Sequence, residues 1–174
     1  MFVTGFGPFG SITENPSSAL AESCGLPYRV LEVSFAAVDA FTEDSDLTAH
    51  GELLLIGVND GAETLRLETV ARNAIGASAD VAGEVRGPGP IDPRLPAQLA
   101  ATLWPAEILG DDPRWDPSVD AGTYLCNYVF FRALAALPEK RVGFLHVPSF
   151  AKMAFEEQRK RLAELLEALS ASAR

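Results

Sequence analysis

The feature that most restricts the fold of this chain is a pair of short apolar runs, LLLIGV at residues 53–58 and VGFLHV at residues 142–147. Apolar runs of this length without polar alternation are typical of strands covered on both faces, as in buried parallel sheets. The segments around them alternate strand and helix patterns, with neither a repeat nor a linker in the 174 residues. We therefore predict an α/β fold with a mostly parallel sheet, in a chain long enough for one domain.

Local patterns also predict the order of the elements along the chain. Asn15 followed by Pro16 is a strong helix start, because Asn caps the free N–H groups and Pro fits the first turn. Strands are predicted at residues 2–4, 28–35, 53–58, 64–73 and 141–147. Helices are predicted from Asn15, at residues 38–50, 94–109 and 124–137, and from about residue 151. The turn-rich residues 83–93 and the acidic residues 110–117 are predicted to be loops.

The charge balance excludes several classes of partner. The chain has 14 Lys and Arg against 24 Asp and Glu, a net charge of −10, which repels nucleic acid and anionic lipid surfaces. No apolar run is long enough to span a membrane, and residues 1–10 lack the basic segment and apolar stretch of a secretory signal. We therefore expect a cytoplasmic protein that binds neither nucleic acid nor membrane. Two cysteines and two histidines without metal-ligand spacing predict no metal site.

The first loop, GFGPFG at residues 5–10, matches the glycine pattern of a dinucleotide site. In such a site the last glycine opens a helix whose N-terminus binds pyrophosphate, whereas here the helix signal follows about five residues later. Two other interpretations remain: a tight turn that needs glycine, or a loop that presents Phe6 and Phe9 to a small ligand.

A cysteine lies where a helix is predicted to start, in the segment AGTYLCNY at residues 121–128. The free N–H groups of the helix start favour the thiolate form of Cys126 and can bind a developing oxyanion. A buried, unreactive thiol is the other interpretation, since that is a common state of free cysteines. The second cysteine, Cys24, lies near a predicted helix end, where the helix dipole does not favour the thiolate.

Two further titratable residues are candidates for chemistry. His146 lies near the C-terminal end of a predicted strand, where the sites of α/β proteins cluster, so it can act as a general base. Glu68 interrupts an apolar strand pattern, and a buried carboxylate there needs a partner such as His146. A core histidine and a surface glutamate are the alternatives. Together, a Cys, a His and a carboxylate are the set that a thiol hydrolase needs.

Four sequence blocks, taken together, resemble the pyroglutamyl peptidase I (pyrrolidone-carboxylate peptidase) family. They are VTGFGPFG followed by NPS, ETVARN, AGTYLCNYVF and GFLHVP, in the family's order over residues 3–148. The resemblance implies a cytosolic cysteine peptidase that removes N-terminal pyroglutamate from peptides, with neither a metal nor an organic cofactor. It also implies a single three-layer α/β/α domain over residues 1–174, with a twisted, mostly parallel mixed sheet, and frequent assembly as a homotetramer.

The resemblance also implies roles for individual residues. Cys126 matches the family's nucleophile, His146 its base and Glu68 the carboxylate of its triad. The residues that match its substrate-binding positions are Phe6, Phe9, Asn15 and Tyr124.

Two departures from the family pattern affect the substrate site. Where the family has Gly-Gln-Ala-Gly-Gly-Arg, this chain has GVNDGA at residues 57–62, so Val58 replaces a glutamine that can contact the lactam. The family arginine near the oxyanion has no counterpart, and we expect Arg86, on a mobile loop, to replace it in preference to Arg72. Two rival hypotheses remain beside the peptidase: a thiol amidase or thioesterase for another acyl group, and a non-catalytic domain that binds a small molecule.

Overall fold

The computed structural model describes residues 1–44, 47, 49–110 and 112–172, which form eight strands and four helices. The strands are β1 (Phe2–Phe6), β2 (Tyr28–Leu31), β3 (Glu52–Val58), β4 (Leu65–Glu68), β5 (Val70–Arg72), β6 (Gln98–Ala100), β7 (Trp115–Ser118) and β8 (Arg141–Val147). The helices are α1 (Pro16–Ser23), α2 (Phe35–Thr42), α3 (Leu125–Ala136) and α4 (Phe155–Ser172). None of these described helices combines the length and apolar character that a membrane crossing requires.

Six of the strands form one sheet in the order β2-β1-β3-β8-β4-β7. Neighbouring strands are parallel except at the β8–β4 pair. The two apolar runs are the neighbours β3 and β8, aligned from the Glu52–Arg141 pair to the Val58–Val147 pair. This arrangement confirms the predicted α/β fold with a mixed, mostly parallel sheet.

Helices cover the sheet on both faces and give the fold three layers. One apolar core joins α2 and α3 to the sheet, and the other joins α1 and α4 to it. Strand β3 serves both, since Leu53 and Leu55 belong to the first core and Leu54 and Ile56 to the second. Successive side chains of a strand point to opposite faces, so a strand buried on both faces has no position for a polar residue. This explains the uninterrupted apolar run.

The connection from β1 into α1 is built as its sequence predicts. Asn15 caps α1, and its side-chain oxygen accepts a hydrogen bond from the backbone N–H of Ser17 at 3.0 Å. Pro16 is the first helical residue. Gly5 lies directly against the helix, since a Cβ atom there would be 2.3 Å from the carbonyl oxygen of Ser17. This close packing leaves residues 7–14 as a loop at the carboxyl end of β1.

The helix predicted at residues 94–109 is wrong. The segment instead contains the short strand β6, which pairs with β5 in a separate two-stranded antiparallel sheet. Beyond β6, the N–H of Ala101 donates to the carbonyl of Thr69 at 2.8 Å. Pro96 and Pro105 lack the N–H that a helix interior needs. Long-range backbone bonds therefore prevail over the apolar pattern.

Other predicted elements differ from the structure in their limits. The strand predicted at residues 64–73 is divided into β4 of the main sheet and β5 of the small sheet. Part of the loop predicted at residues 110–117 forms β7, an edge strand. The helix predicted at residues 38–50 is α2, which begins earlier because Ser34 caps it. Residues 45, 46 and 48 of that prediction lie outside the described residues.

Candidate active site

The candidate site lies at the carboxyl ends of the central strands, where α3 begins. Cys126 is the second residue of α3, and Tyr124 is its N-cap. Gly122 precedes the helix with a φ of +81°, a left-handed conformation that glycine adopts without strain. This turn brings the start of α3 over the end of β3. The first N–H groups of the helix, which have no partner within it, therefore face the site.

A row of paired residues crosses four strands at this end of the sheet. His146 on β8 lies opposite Gly57 on β3 and opposite Arg66 on β4, and Arg66 in turn lies opposite Asp116 on β7. Residues directly opposite one another on neighbouring strands project to the same face. Glu68 projects to that face too, because it is two residues from Arg66 along β4. The sheet register thus places the imidazole, the carboxylate and a guanidinium side by side.

The imidazole of His146 and the carboxylate of Glu68 form a buried pair on this face. Nδ1 of His146 lies 2.7 Å from Oε1 of Glu68. Glu68 is fully buried and His146 is 3% exposed, so little water screens the contact. The carbonyl of Glu68 accepts a hydrogen bond from the indole of Trp104 at 2.8 Å, which holds the end of β4. Within the described residues, Oε2 of Glu68 is buried without a hydrogen-bond partner.

The thiol of Cys126 lies over a strand position that has no side chain. A Cβ atom built on Gly57 would be 2.8 Å from Sγ of Cys126 and 2.7 Å from Cζ of Phe144. Both distances are shorter than real Cβ contacts, so only glycine leaves room for the sulfur here. Gly57 therefore determines how closely Cys126 approaches the sheet beside His146.

The pKa of His146 reflects its burial and its two partners. Burial lowers this pKa, but hydrogen bonds to Cys126 and to Glu68 raise it more strongly, from 6.5 to about 9. The raised pKa favours the protonated form of the imidazole beside the Cys126 sulfur at neutral pH. A protonated imidazole beside a cysteine sulfur is an arrangement that cysteine nucleophiles use.

A cavity opens beside Cys126, with about 260 Å³ of space that includes open solvent, and we call it the aromatic pocket. Its lining residues are Phe6, Phe9, Asn15, Val33, Val58, Tyr124, Leu125 and Cys126. The four residues predicted from the resemblance to bind substrate are therefore all present in its wall. The wall of this cavity is mostly aromatic and aliphatic. It suits a compact, largely uncharged ring.

The polar groups in the wall of the aromatic pocket are mostly engaged with the protein itself. The Asn15 amide donates to the carbonyl of Gly7 at 2.9 Å, and its oxygen accepts from the N–H and the hydroxyl of Ser17. The hydroxyl of Tyr124 donates to the carbonyl of Ala79 at 2.9 Å. Burial raises the pKa of this phenol, with a further contribution from nearby negative charge, so it remains a donor. A ligand therefore meets mainly apolar surface.

A second cavity, which we call the open cleft, adjoins the other side of Cys126 and has about 1000 Å³ of space that includes open solvent. Its lining residues are Phe9, Val58, Asn59, Asp60, Arg66, Ser118, Asp120, Ala121, Gly122, Thr123, Tyr124, Cys126 and His146. Four of these, including Cys126, also line the aromatic pocket. The thiol thus lies between the aromatic pocket and a more open cleft whose wall includes charged side chains.

The two arginines considered as oxyanion donors line neither cavity. Arg86 is held by Asp39 at 2.5 Å and by the hydroxyl of Tyr128 at 2.7 Å. Arg72 contacts Asp120 at 3.2 Å. These charged contacts hold Arg86 against α2 and α3, outside both cavities, and its predicted ordering over the site when substrate binds stays a prediction.

Three residues at the site escaped the sequence analysis as functional candidates. Asn127 is buried, and its side chain bonds to the N–H and carbonyl of Arg72 and to the carbonyl of Ala74, which ties β5 to α3. Its position directly after Cys126 in the motif was the available signal. Gly57 and Arg66 carried no local signal, because their relation to the site depends on strand register.

The described residues contain no group of three or more His, Cys, Asp or Glu side chains arranged to hold a metal ion. Cys24, the second thiol, is at the C-cap of α1 and donates to the carbonyl of Ala21 at 3.0 Å. It lies against the core formed with α1 and α4, away from the aromatic pocket and the open cleft.

Comparison with known proteins gives a consistent result. Residues 1–172 match the family model described as pyroglutamyl peptidase. The pyrrolidone-carboxylate peptidase of Deinococcus radiodurans is 34% identical, over 88% of this chain and 80% of the relative. The corresponding protein of Clavibacter michiganensis is 32% identical, over 100% of this chain and 91% of the relative.

Solved structures resemble this one over nearly their full length. The pyrrolidone carboxyl peptidase of Thermus thermophilus superposes with a TM-score of 0.78 at 32% identity, covering 95% of this chain and 98% of that one. A mutant pyrrolidone carboxyl peptidase of Pyrococcus furiosus gives a TM-score of 0.84 at 26% identity, covering 98% and 97%. The α/β architecture with helices on both faces of a mixed sheet is therefore the one these peptidases share.

Proposed function

Because this chain belongs to the pyroglutamyl peptidase family of cysteine peptidases, we propose that it removes N-terminal pyroglutamate from peptides with Cys126, His146 and Glu68 as its catalytic triad. The observation that carries the proposal is the position of Cys126, between the buried His146–Glu68 pair and the aromatic pocket. Sγ of Cys126, the proposed nucleophile, is then adjacent both to the proposed base and to the cavity that would bind the acyl group. This is the arrangement that acyl transfer to a thiol requires.

The reaction follows from these positions. The pyroglutamyl ring occupies the aromatic pocket, and the Cys126 thiolate attacks its exocyclic carbonyl carbon to form a tetrahedral intermediate. Free N–H groups at the start of α3 stabilise the oxyanion. The His146 imidazolium gives its proton to the leaving nitrogen, the C–N bond breaks, and a thioester forms. Water activated by His146 then hydrolyses the thioester and releases pyroglutamate.

Glu68 supports this cycle through His146. Its Oε1 lies 2.7 Å from Nδ1, which orients the ring so that Nε2 is available to Cys126 and to the leaving nitrogen. Its negative charge also stabilises the imidazolium, because both groups are buried.

An amide hydrolysis assay tests the proposal. Hydrolysis of a chromogenic pyroglutamyl arylamide is expected, with loss of activity on alkylation by iodoacetamide and in Cys126→Ser. Cys24→Ser is the matched control and keeps its activity, since Cys24 lies outside both cavities. A prolyl arylamide is a poor substrate, because its charged amine has no partner in an apolar pocket. Activity in Cys126→Ser, or faster alkylation of Cys24 than of Cys126, contradicts the triad.

One observation favours a second candidate function, a thiol amidase or thioesterase for another acyl group. Val58 stands where the family has a glutamine, and the Asn15 amide is engaged with its own loop. The aromatic pocket therefore offers few side-chain hydrogen bonds to a lactam. Alkylation of Cys126 without any hydrolysis of the pyroglutamyl arylamide supports this candidate or a non-catalytic binding domain. Homo-oligomeric assembly and a cytoplasmic location stay predictions.

A further inference from the structure

Arg66 is a charged residue of the open cleft that the catalytic proposal leaves without a role. It lines the cleft together with Cys126 and His146. Its position on β4 lies directly opposite His146 on β8. No part of the family resemblance assigns it a function, and the sequence block around it gave no signal.

The guanidinium of Arg66 is fixed through one nitrogen and keeps hydrogen-bond donors for a ligand. Its Nε bonds to Oδ2 of Asp116 at 2.9 Å, and the Arg66 side chain is 27% exposed. Within the part of the chain that the structure describes, neither terminal nitrogen of Arg66 has a hydrogen-bond or ion-pair partner. A guanidinium carries five N–H donors in a rigid plane, so most of them remain for a ligand that enters the cleft.

The reaction places the leaving residue at this side of His146. The pyroglutamyl ring fills the aromatic pocket, so the rest of the peptide extends into the open cleft. The leaving nitrogen must lie beside His146 to receive its proton. The carboxyl carbon of the leaving residue is two bonds further, within the roughly 3.5 Å that one extended residue spans. Cross-strand neighbours are separated by about 5 Å at Cα, so this carboxyl group is within reach of Arg66.

From this juxtaposition we propose that Arg66 is a specificity-determining residue that binds the carboxylate of the leaving residue in short substrates, the pyroglutamyl dipeptides. The inference rests on the proposed function and concerns the leaving side of the same site. A terminal carboxylate presents two acceptor oxygens, which match two donors of a guanidinium. The internal carbonyl of a longer peptide presents only one neutral acceptor at that point.

The other charges around Arg66 would oppose the binding of a second substrate carboxylate. Asp60 and Asp120 also line the open cleft, and the whole chain has a net charge of −10. Without a local cation, a second carboxylate on the substrate would be repelled. A preference for the charged dipeptide over its neutral amide that disappears in Arg66→Gln is therefore due to the guanidinium, and an absent preference would show that the acidic groups dominate.

Two substrates that differ by one charge test the proposal: pyroglutamyl-alanine and pyroglutamyl-alaninamide. We expect kcat/KM of the unaltered enzyme to be about fivefold higher for the acid than for the amide, the size of a partly exposed charge-assisted contact. Arg66→Gln brings the ratio to about one or below, mainly through a higher KM for the acid. Arg66→Lys retains part of the preference because the charge remains.

Two further variants keep the test decisive. Arg94→Gln is the matched control, because Arg94 is 86% exposed, pairs with Asp92 and lies outside the cleft; its ratio stays at the unaltered value. The double variant Arg66→Gln with Asp116→Asn avoids leaving Asp116 unpaired, and is used if the single variant folds poorly. The ratio of the two substrates is internal to each enzyme, so partial unfolding does not change it.

Two outcomes overturn the proposal. One is an equal or lower kcat/KM for the acid in the unaltered enzyme, and the other is an unchanged ratio in Arg66→Gln. If the unchanged ratio is accompanied by a loss of about 10²–10³ on the neutral arylamide, Arg66 is an oxyanion donor instead. Failure to hydrolyse every pyroglutamyl substrate would overturn the proposed function itself, and this inference with it.

Discussion

Replacing Gly57 by alanine is the most direct perturbation of the proposed nucleophile that leaves the triad residues unchanged. The new Cβ atom would lie 2.8 Å from Sγ of Cys126, whereas ordinary contact begins at 3.4 Å. The sulfur must therefore move by the difference, about 0.6 Å, or the strand must give way by the same amount. On the other side, Cζ of the fully buried Phe144 lies at 2.7 Å and must also move.

The displacement has separate consequences for activity and for stability. A misplacement of about 1 Å in a reacting group costs on the order of 10²-fold in rate, so Gly57→Ala should reduce kcat/KM by roughly 10- to 100-fold. Overpacking of a well-packed core costs about 1–3 kcal/mol in the free energy of unfolding, and Phe144 lies in such a core. The variant should therefore fold, but with a lower Tm.

The assay combines arylamide hydrolysis, thermal unfolding and the rate of iodoacetamide labelling of Cys126. Gly51→Ala is the matched control, because Gly51 directly precedes β3 and nothing lies within 4 Å of a Cβ atom built there. Its activity and Tm should stay close to those of the unaltered protein. If Gly57→Ala also keeps its kcat/KM and labelling rate, Cys126 is not held by the contact with β3 and the proposed geometry is refuted.

Three other predictions concern charged groups in and near the site. Because the pKa of His146 is raised to about 9, kcat/KM should fall as pH rises through 9. Glu68→Gln removes the negative charge that stabilises the imidazolium, so in this variant the fall should begin at lower pH. The turnover of Glu68→Gln should also drop, without unfolding of the protein. The raised pKa of His146 also stabilises the fold fully below pH 6.5, and this contribution is lost as pH rises through 9, which urea unfolding at several pH values measures. Arg86→Ala should lower the free energy of unfolding by about 2 kcal/mol, because its charged hydrogen bonds to Asp39 and Tyr128 are lost, with arylamide turnover unchanged. A loss of turnover at full stability would restore Arg86 as an oxyanion donor.

The parts of the fold that depend on local chemistry could be predicted from the sequence. Asn15 and Pro16 carry the whole signal for the start of α1, and they cap it as expected. The double-sided burial of β3 is evident from its lack of polar positions. Residues 94–109 could not be predicted in this way, because an apolar pattern does not reveal that the N–H of Ala101 bonds to Thr69 far along the chain.

The same distinction separates the three residues of the proposed triad from their surroundings. Cys126, His146 and Glu68 were identifiable because each is an unusual residue type for its local pattern. The neighbouring residues Gly57 and Arg66 are ordinary residue types for their own segments. Their relation to the site depends on the strand pairing that sets both opposite His146.

One row of residues, paired across four strands, can therefore account for both the nucleophile side and the leaving-residue side of the proposed reaction. On the β3 side, Gly57 has no side chain, so the Cys126 sulfur can lie against the sheet, next to the aromatic pocket. Toward β4, Arg66 brings a cation to the open cleft, with Asp116 on β7 holding its Nε. His146 stands between them on β8, so the same imidazole faces the nucleophile and the leaving residue. A one-residue slip of β4 against β8 would turn Arg66 and Glu68 to the opposite face. The carboxylate of the proposed triad and the proposed specificity residue are thus specified together by a single strand register.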